Sequence, residues 1–208
     1  ITCCLSAAAV GLVFGLDLPT IVQGLEALES IPGRLERLEC GQDFSVFVDH
    51  AQTPNSLAVS LQTMRQVTNG RVLCVFGASH WQDSEQRALL GQVAEKGSDV
   101  SIITSNNPCH EPPLQIAHDV LDGVRSPGRP HVIPDRLKAI HWALSEARPG
   151  DTVLITGKGH ETDQRLGDRT IAFDDRKVAR RWLRGSRPAP EGLKSTVTLP
   201  FRLGCEWN

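Results

Sequence analysis

Four short segments of polar residues and glycines each directly follow an apolar run in this chain. They are residues 49–54 (DHAQTP), 77–80 (GASH), 104–108 (TSNNP) and 157–161 (GKGHE). If the apolar runs are strands of an open α/β sheet, ligands bind beyond the carboxyl ends of those strands. The four segments therefore predict a single ligand site that is assembled from several loops.

Each segment also has a purely structural interpretation. Residues 157–160 fit a strand-to-helix turn in which glycine supplies a positive φ. Asp49 could simply cap the turn that follows it, and Asn107 before a proline is an ordinary turn signal. The chain contains neither the phosphate loop GxxxxGK[ST] nor GxGxxG after an early strand, so dinucleotide binding is unsupported.

Residue types that bind metals are present without the spacing that a metal site needs. His50, His80 and His160 have no accompanying carboxylates spaced to orient their imidazoles, so we predict no metal site. The cysteines form no CxxC pair and no regular framework, which favours a reducing compartment. The six cysteines are Cys3, Cys4, Cys40, Cys74, Cys109 and Cys205.

The segments that position these loops alternate between two patterns. Apolar runs without polar alternation are typical of parallel strands buried on both faces, and the stretches between them have helical spacing. The sequence therefore predicts an α/β, Rossmann-like fold with a mostly parallel six-stranded sheet flanked by helices. The predicted strands are 45–48, 71–76, 100–104, 131–133, 152–156 and 170–173. The predicted helices are 55–67, 84–96, 113–121 and 135–147. A last helix is predicted to begin with a cap at Asp174 or Asp175 and to end at Leu183.

The first 30 residues have a different pattern from the rest. Residues 6–14 read as a helix that Gly15 ends, and Pro19 lies near the start of a second helix. Ile31-Pro32-Gly33 breaks the helical pattern, and we place a domain boundary at residue 33. The main domain is predicted to cover residues 34–186, followed by a weakly patterned tail at 187–208.

Composition excludes several classes of partner. The 208-residue chain is 40% hydrophobic and carries a net charge of -2, which is typical of a soluble domain and gives no strong attraction to nucleic acid or anionic membranes. Tyrosine is absent, which argues against a surface that stacks on bases. The apolar residues 1–14 lack a basic leader and are too short to cross a bilayer. The chain begins with Ile1 rather than methionine, which suggests either that a longer protein has been cut or that the start is missing.

Taken in order, six motifs resemble the Mur ligase family, and in particular its MurE type. GKGHE at 157–161 and FDDR at 173–176 match the family outright and are the most specific pair. The other four are PGRLE at 32–36, VDHAQTP at 48–54 for the family's VDYAHTP, VFG at 75–77 with Arg87 for FGCGGDRDKGKRP, and SNNPCHE at 105–111 for DNPR-x-E.

This resemblance implies an ATP-dependent ligase of peptidoglycan synthesis. ATP phosphorylates the substrate carboxylate, and the amine of a diamino acid attacks the acyl phosphate of a UDP-linked muramoyl dipeptide. The implied cofactors are ATP and Mg²⁺, and the implied protein is a cytoplasmic monomer that binds neither nucleic acid nor membrane. Residues 1–33 would be the helical end of the central ATPase domain. No segment matches the family's GTNGKT loop, so we expect the isolated chain to be inactive.

The resemblance also implies which residues bind which substrate. Arg34, Asp49 and His50 match ATP-binding positions, since a guanidinium forks onto phosphate oxygens and Asp49 matches the aspartate that holds the ribose. Asn107, Gly157 and Glu161 match positions that contact the incoming diamino acid, and no catalytic residue is assigned to this segment. A carboxylate such as Glu161 is suited to an ammonium group.

Several matched positions depart from the family pattern. Gln82 stands for one arginine and Cys109 for another, and in diaminopimelate-adding relatives these two arginines clamp carboxylates of the amino acid. Gln52 replaces a histidine and Asn106 an aspartate. One hypothesis is an active ligase with altered amino-acid choice. Alternatives are a degenerate, non-catalytic Mur-like binding or scaffold module, or a free-standing nucleotide-binding domain.

Overall fold

The computed structural model describes residues 2–28 and 30–185, which divide into two compact units. The first unit ends at Pro32 and contains helices α1 (Thr2–Val13) and α2 (Leu18–Glu26). Helix α2 begins where the side chain of Asp17 accepts a hydrogen bond from the backbone nitrogen of Thr20, 2.9 Å away. The predicted tail lies outside the described residues.

The second unit begins at Gly33 and is built on a six-stranded sheet. The strand order is β1-β2-β6-β3-β4-β5, and every pairing is parallel except that of β1 with β2. The α/β class and the mostly parallel sheet are therefore confirmed. The strands are β1 (Glu36–Arg37), β2 (Ser45–Asp49), β3 (Val72–Phe76), β4 (Val100–Ile103), β5 (His131–Val132) and β6 (Thr152–Thr156).

Helices cover both faces of this sheet because side chains along each strand alternate between two cores. Val72, Cys74 and Phe76 point to a core with three helices, while Leu73 and Val75 point to a core with two. The first group is α3 (Pro54–Val67), α4 (Ser84–Gly97) and α5 (Pro113–Leu121), and the second is α6 (Arg136–Glu146) and α7 (Asp175–Leu183). Within residues 2–28 and 30–185, no helix has the length and apolarity that a bilayer span requires.

Polar caps set where the site-bearing helices begin. The Thr53 and Ser56 side chains form a reciprocal capping box at the start of α3. Asp135 caps α6 as predicted, and Asp174 rather than Asp175 caps α7. These caps keep each helix start close to the end of the preceding strand or loop.

One predicted strand has a different place in the fold. Residues 170–173 do not join the main sheet; they overlap β8 (Arg169–Ala172), which pairs with β7 (Asp163–Leu166) in a separate antiparallel hairpin. All four residues of β8 are exposed, so no buried face draws it into the sheet. The sixth strand of the sheet is instead the short polar β1, which the sequence pattern did not predict.

A buried ion pair joins the two helices of one face to the strand ends. Arg136 donates from Nε and Nη2 to the two carboxylate oxygens of Asp175 at 2.8 and 2.7 Å, and both side chains are fully buried. The same guanidinium donates to the carbonyl oxygens of Thr156 at 2.7 Å and Ser105 at 3.4 Å. The pair therefore fixes the chain where β6 ends and where the segment after β4 begins.

Breaking this pair should destabilise the domain strongly. We expect Arg136→Met to lower the free energy of unfolding by about 3–5 kcal/mol, because Asp175 is left charged and buried. Adding Asp175→Leu should recover most of that loss. Urea unfolding followed by circular dichroism measures both. The control is Arg37→Met, which removes the exposed pair between Arg37 and Glu39 and should cost about 0–1 kcal/mol; equal losses for Arg136→Met and the control would contradict the assignment.

Candidate functional site

The four predicted loops meet at one edge of the sheet. They follow β2, β3, β4 and β6, which are neighbouring parallel strands, so their carboxyl ends lie side by side. Direct hydrogen bonds join the loops: the backbone nitrogen of Gly157 donates to the carbonyl oxygen of Asp49 at 3.1 Å, and His80 Nδ1 lies 3.1 Å from the carbonyl oxygen of Asn107. The loops therefore form a single surface.

Glu161 is the centre of a polar cluster on this surface, which we call the Glu161 cluster (Gln52, Asn107, Lys158, Glu161). Its Oε2 accepts hydrogen bonds from Lys158 Nζ at 2.9 Å and Asn107 Nδ2 at 3.0 Å. Its Oε1 accepts one from Gln52 Nε2 at 3.1 Å. The structure thus brings together Asn107 and Glu161, and it places Gly157 beside them through a hydrogen bond from Gln52 Nε2 to its carbonyl oxygen at 2.7 Å.

The Glu161 carboxyl group is held in its ionised form. Burial raises the pKa of Glu161, but hydrogen bonds from Lys158 and Asn107 and the charge of Lys158 outweigh burial and hold the pKa below its ordinary value. The side chain of Lys158 is fully buried, whereas that of Glu161 is 24% exposed. The Glu161 carboxylate is therefore partly open to solvent while its counter-ion is buried.

Asn107 is oriented from both sides of its amide. Its Oδ1 accepts from the backbone nitrogen of Arg165 in β7 at 3.1 Å and from Lys158 Nζ at 3.4 Å, which leaves Nδ2 to donate to Glu161. The roles of Lys158, Gln52 and the β7–β8 hairpin were missed by sequence reasoning. The only available signal was the lysine inside the 157–161 segment, between two glycines.

Glycines permit the loops to pack backbone against backbone. Gly157 and Gly159 have φ values of 105° and 54°, and Gly33 has 66°. A Cβ at Gly159 would lie 2.6 Å from the Cβ of His50, and a Cβ at Gly33 would overlap the backbone nitrogen of His160. The 157–161 loop therefore supports the segment around Gly33 as well as the Glu161 cluster.

This packing presents Arg34 to solvent between two constrained residues. Leu35 has a left-handed φ of 44°, and its backbone nitrogen donates to Asp49 Oδ1 at 3.1 Å. Arg34 is exposed and makes no hydrogen bond or ion pair with any residue that the structure describes. Its guanidinium is therefore free to reach an anion, while its backbone is held.

Asp49 and His50 lie next to this segment, and their side chains hydrogen-bond to other residues of the chain. Asp49 is 7% exposed, and its Oδ2 accepts from Ser60 Oγ at 2.6 Å. His50 Nδ1–H donates to the carbonyl oxygen of Lys158 at 3.1 Å, and the His50 and His160 rings are 4.9 Å apart. The three residues predicted to bind the nucleotide are thus neighbours. Asp49 holds the backbone next to Arg34 through its hydrogen bond from Leu35.

Helix α7 and the FDDR segment at its start anchor the same region. Glu36 Oε1 accepts from Arg180 at 2.7 Å, and its Oε2 accepts from the backbone nitrogen of Gly33 at 2.8 Å. Arg176 pairs with Asp174 and also donates to the carbonyl oxygen of His160 at 3.3 Å. These contacts tie the start of the domain to the 157–161 loop.

The two positions that depart from the family arginines have different surroundings. Gln82 is 3% exposed, and its amide is used inside the loops: Oε1 accepts from the backbone nitrogen of Ser79 at 2.7 Å, and Nε2 donates to the carbonyl oxygen of Gln52 at 3.0 Å. Cys109 is half-buried with a left-handed φ of 51°. Only Cys109 therefore has a side chain with some access to the loop surface.

A groove of about 630 Å³ lies apart from the Glu161 cluster. It runs between α6, α7 and the β7–β8 hairpin, and its lining includes Leu137, His141, Phe173, Lys177 and Trp182. No member of the Glu161 cluster lines it. We assign the site to the loops because charged and polar groups converge there.

A mostly parallel sheet with ligand loops gathered at the carboxyl ends of adjacent strands defines a doubly wound α/β domain. A family model described as Mur ligase, glutamate ligase domain, matches residues 33–159, and the chain belongs to this family.

Similar proteins support this assignment. The UDP-N-acetylmuramoyl-L-alanyl-D-glutamate--2,6-diaminopimelate ligase of Geobacillus kaustophilus is 47% identical over 177 residues, covering 85% of this chain and 36% of the relative. A solved ligase of the same name has 34% identity and a TM-score of 0.69, covering 86% of this chain and 37% of that one. A Mycobacterium tuberculosis folylpolyglutamate synthase, solved with ADP and AMPPCP, shares the fold alone, with 22% identity and a TM-score of 0.57 over 88% of this chain and 39% of its own. The chain spans about a third of the length of its curated relatives.

Replacing Gly33 should test the backbone contact between loops. Gly33→Ala should destabilise the domain by more than Gly41→Ala, because both positions have positive φ but only Gly33 faces a neighbouring backbone. Gly41→Ala should show only the left-handed cost of about 1–2 kcal/mol. Urea unfolding of both variants measures the difference. Equal losses would mean that the 157–161 loop does not depend on close approach at Gly33.

Proposed function

We propose that this chain is the amino-acid-accepting domain of an ATP-dependent ligase, which joins a diamino acid to UDP-N-acetylmuramoyl-L-alanyl-D-glutamate in peptidoglycan synthesis. The observation that carries this proposal is the Glu161 cluster, where a partly exposed, ionised carboxylate is paired with buried Lys158 and hydrogen-bonded to Asn107. Such a carboxylate can receive an ammonium group. The proposal agrees with the names of the relatives, and no observation favours the degenerate alternative.

The proposed reaction has two steps. The terminal phosphoryl group of ATP moves to the D-glutamate carboxylate, and ADP leaves. The amine of the incoming amino acid then attacks the acyl phosphate; the C–N bond forms, inorganic phosphate leaves and the amine loses a proton. Arg34 would neutralise phosphate charge as these groups meet. Asp49 and His50 would lie on the nucleotide side, and Asn107, Gly157 and Glu161 on the amino-acid side.

The cofactors, partners and setting follow as part of the same proposal. ATP and Mg²⁺ are the proposed cofactors, with Mg²⁺ held mainly outside this chain. The proposed partners are the UDP-linked muramoyl dipeptide and the diamino acid, with no nucleic acid or membrane, for a cytoplasmic monomer. Residues 1–33 would be the helical end of a central ATPase domain, 34–186 the C-terminal domain and 187–208 a tail.

Ligase activity tests the proposal directly. The chain is joined to the upstream two thirds of the Geobacillus kaustophilus relative, and ADP release and peptide formation are measured with lysine and diaminopimelate. We expect turnover by this fusion and none by the 208-residue chain alone. Arg34→Ala in the fusion should lower kcat/KM for ATP by about tenfold to a hundredfold, because a charged contact to phosphate is worth about 1.5–3 kcal/mol.

The control for that experiment is Arg37→Ala. Arg37 is an exposed arginine three residues after Arg34, and it is paired with Glu39. It should leave kcat/KM for ATP unchanged. Turnover by the 208-residue chain alone, or a loss of activity as large for Arg37→Ala as for Arg34→Ala, would overturn the assignment of Arg34.

Amino-acid choice should respond to the missing arginines. Gln82 and Cys109 offer no positive fork to a carboxylate, so the fusion should discriminate poorly between diaminopimelate and lysine. Gln82→Arg with Cys109→Arg should raise the preference for diaminopimelate by about a hundredfold, equal to about 3 kcal/mol from two charged contacts. Cys109→Arg alone should give the larger share, because Gln82 is 3% exposed.

Steady-state rates with both amino acids decide this prediction. The control is Cys40→Arg, because Cys40 is also a half-buried free cysteine but belongs to none of the four loops. A strong preference for diaminopimelate in the unmodified fusion would show that other residues hold its carboxylate.

A further inference from the structure

The side-chain amide of Gln52 contacts two acceptors of the site at once. Its Nε2 donates to the carbonyl oxygen of Gly157 at 2.7 Å and to Glu161 Oε1 at 3.1 Å. The other oxygen of Glu161 is already used by Lys158 and Asn107. The Gln52 nitrogen therefore occupies the one position where a backbone carbonyl and the remaining carboxylate oxygen converge.

These two acceptors are arranged by the backbone and not by Gln52. Gly157 has a φ of 105°, and the backbone nitrogen of Glu161 donates to the carbonyl oxygen of Lys158 at 3.0 Å, which closes a turn. Lys158 and Asn107 hold Glu161 through Oε2, the oxygen that Gln52 does not contact. The acceptor pair would therefore keep its geometry if the Gln52 side chain moved away.

The acceptor pair suits an amine better than an amide. A primary ammonium group offers three donors and a positive charge, whereas the Gln52 amide offers two donors and no charge. A hydrogen bond between ammonium and carboxylate is roughly twice as strong as a neutral one. Lys158 approaches only Glu161 Oε2, so Oε1 is the oxygen that is left for a ligand.

We propose that the Gln52 amide is an internal occupant of an amine-binding position formed by the Gly157 carbonyl and Glu161 Oε1, and that the distal amine of the incoming amino acid displaces it. The inference rests on the proposed function for the identity of the ligand. Gln52 then sets the affinity for the amine, because the position is open only in the fraction of molecules whose Gln52 side chain has turned away.

The surroundings of Gln52 allow this exchange without moving the loop. The side chain is half-buried, and the backbone carbonyl of Gln52 is held by Gln82 Nε2 at 3.0 Å. Rotation of the side chain therefore leaves the backbone in place. This gives Gln82 a positioning role through Gln52, instead of contact with a ligand.

Ligand binding to the 208-residue chain tests the proposal without ATP. Calorimetry compares L-lysine with L-norleucine, which has the same carbon skeleton but lacks the distal amine. Gln52→Ala should tighten binding of L-lysine by about tenfold, because one protein donor no longer competes for the two acceptors. L-norleucine binding should not change. Gln52→Met, which removes the donor but keeps the bulk, should give an intermediate gain, and circular dichroism checks that both variants fold.

The matched control is Gln115→Ala. Gln115 Nε2 also donates to a carboxylate, that of Asp119, at a distance of 3.1 Å, but Gln115 lies on α5 outside the Glu161 cluster. It should leave L-lysine affinity unchanged. Weaker or unchanged L-lysine binding in Gln52→Ala, or no detectable binding, would overturn the proposal, because Gln52 would then orient Glu161 and not compete with the ligand.

The two proposals fail in different ways. If the fusion makes no peptide bond while Gln52→Ala tightens L-lysine binding, the amine position stands and the ligase function falls. If the fusion is active while Gln52→Ala gains nothing, the ligase function stands and only the inference about Gln52 falls.

Discussion

The buried ion pair of Arg136 and Asp175 is the interaction on which the site geometry depends. Both side chains are buried, so each charge is stabilised by the opposite charge of the other. The guanidinium also donates hydrogen bonds to the carbonyl oxygens of Ser105 and Thr156. Those two carbonyl groups belong to the chain just before the residues that two loops contribute to the Glu161 cluster. A side chain on α6 and a carboxylate on α7 thereby decide where Asn107 and the 157–161 loop lie.

Long apolar strands and capped helices could be predicted from local patterns, as β3, β6 and the Asp135 cap show. Strand β1 has two polar residues, and the β7–β8 hairpin has little buried surface, so neither carries a period-two apolar signal. Their existence depends on contacts with distant parts of the chain. The positions of Asn107, Gly157 and Glu161 could be proposed from ordered motifs, but the contact of Gln52 with Glu161 joins residues 109 apart, which no local pattern reports.

The Glu161 cluster and the loops around it are ordered largely by uncharged amide side chains. The chain has uncharged amides in these loops at Gln52, Gln82 and Asn106. Gln52 and Gln82 are satisfied by loop atoms, so they hold the loops to one another. Asn106 is the exception: its Nδ2 donates to Ser79, but its Oδ1 is buried without a partner. Within the Glu161 cluster the charges are those of the ion pair between Lys158 and Glu161, 2.9 Å apart.

The β7–β8 hairpin supports the loop after β4 through main-chain atoms and through the buried Gln164 side chain, whose Nε2 donates to the carbonyl oxygens of Asn106 at 2.8 Å and Ser105 at 3.4 Å. Cys109 exchanges hydrogen bonds with Arg165 and Gly167 through its backbone nitrogen and oxygen, at 3.3 and 2.7 Å, and Asn107 accepts from the backbone nitrogen of Arg165. None of these hydrogen bonds involves the side chain at position 109. The loop can therefore keep this support while the side chain at position 109, whose backbone φ is 51°, changes in charge and size.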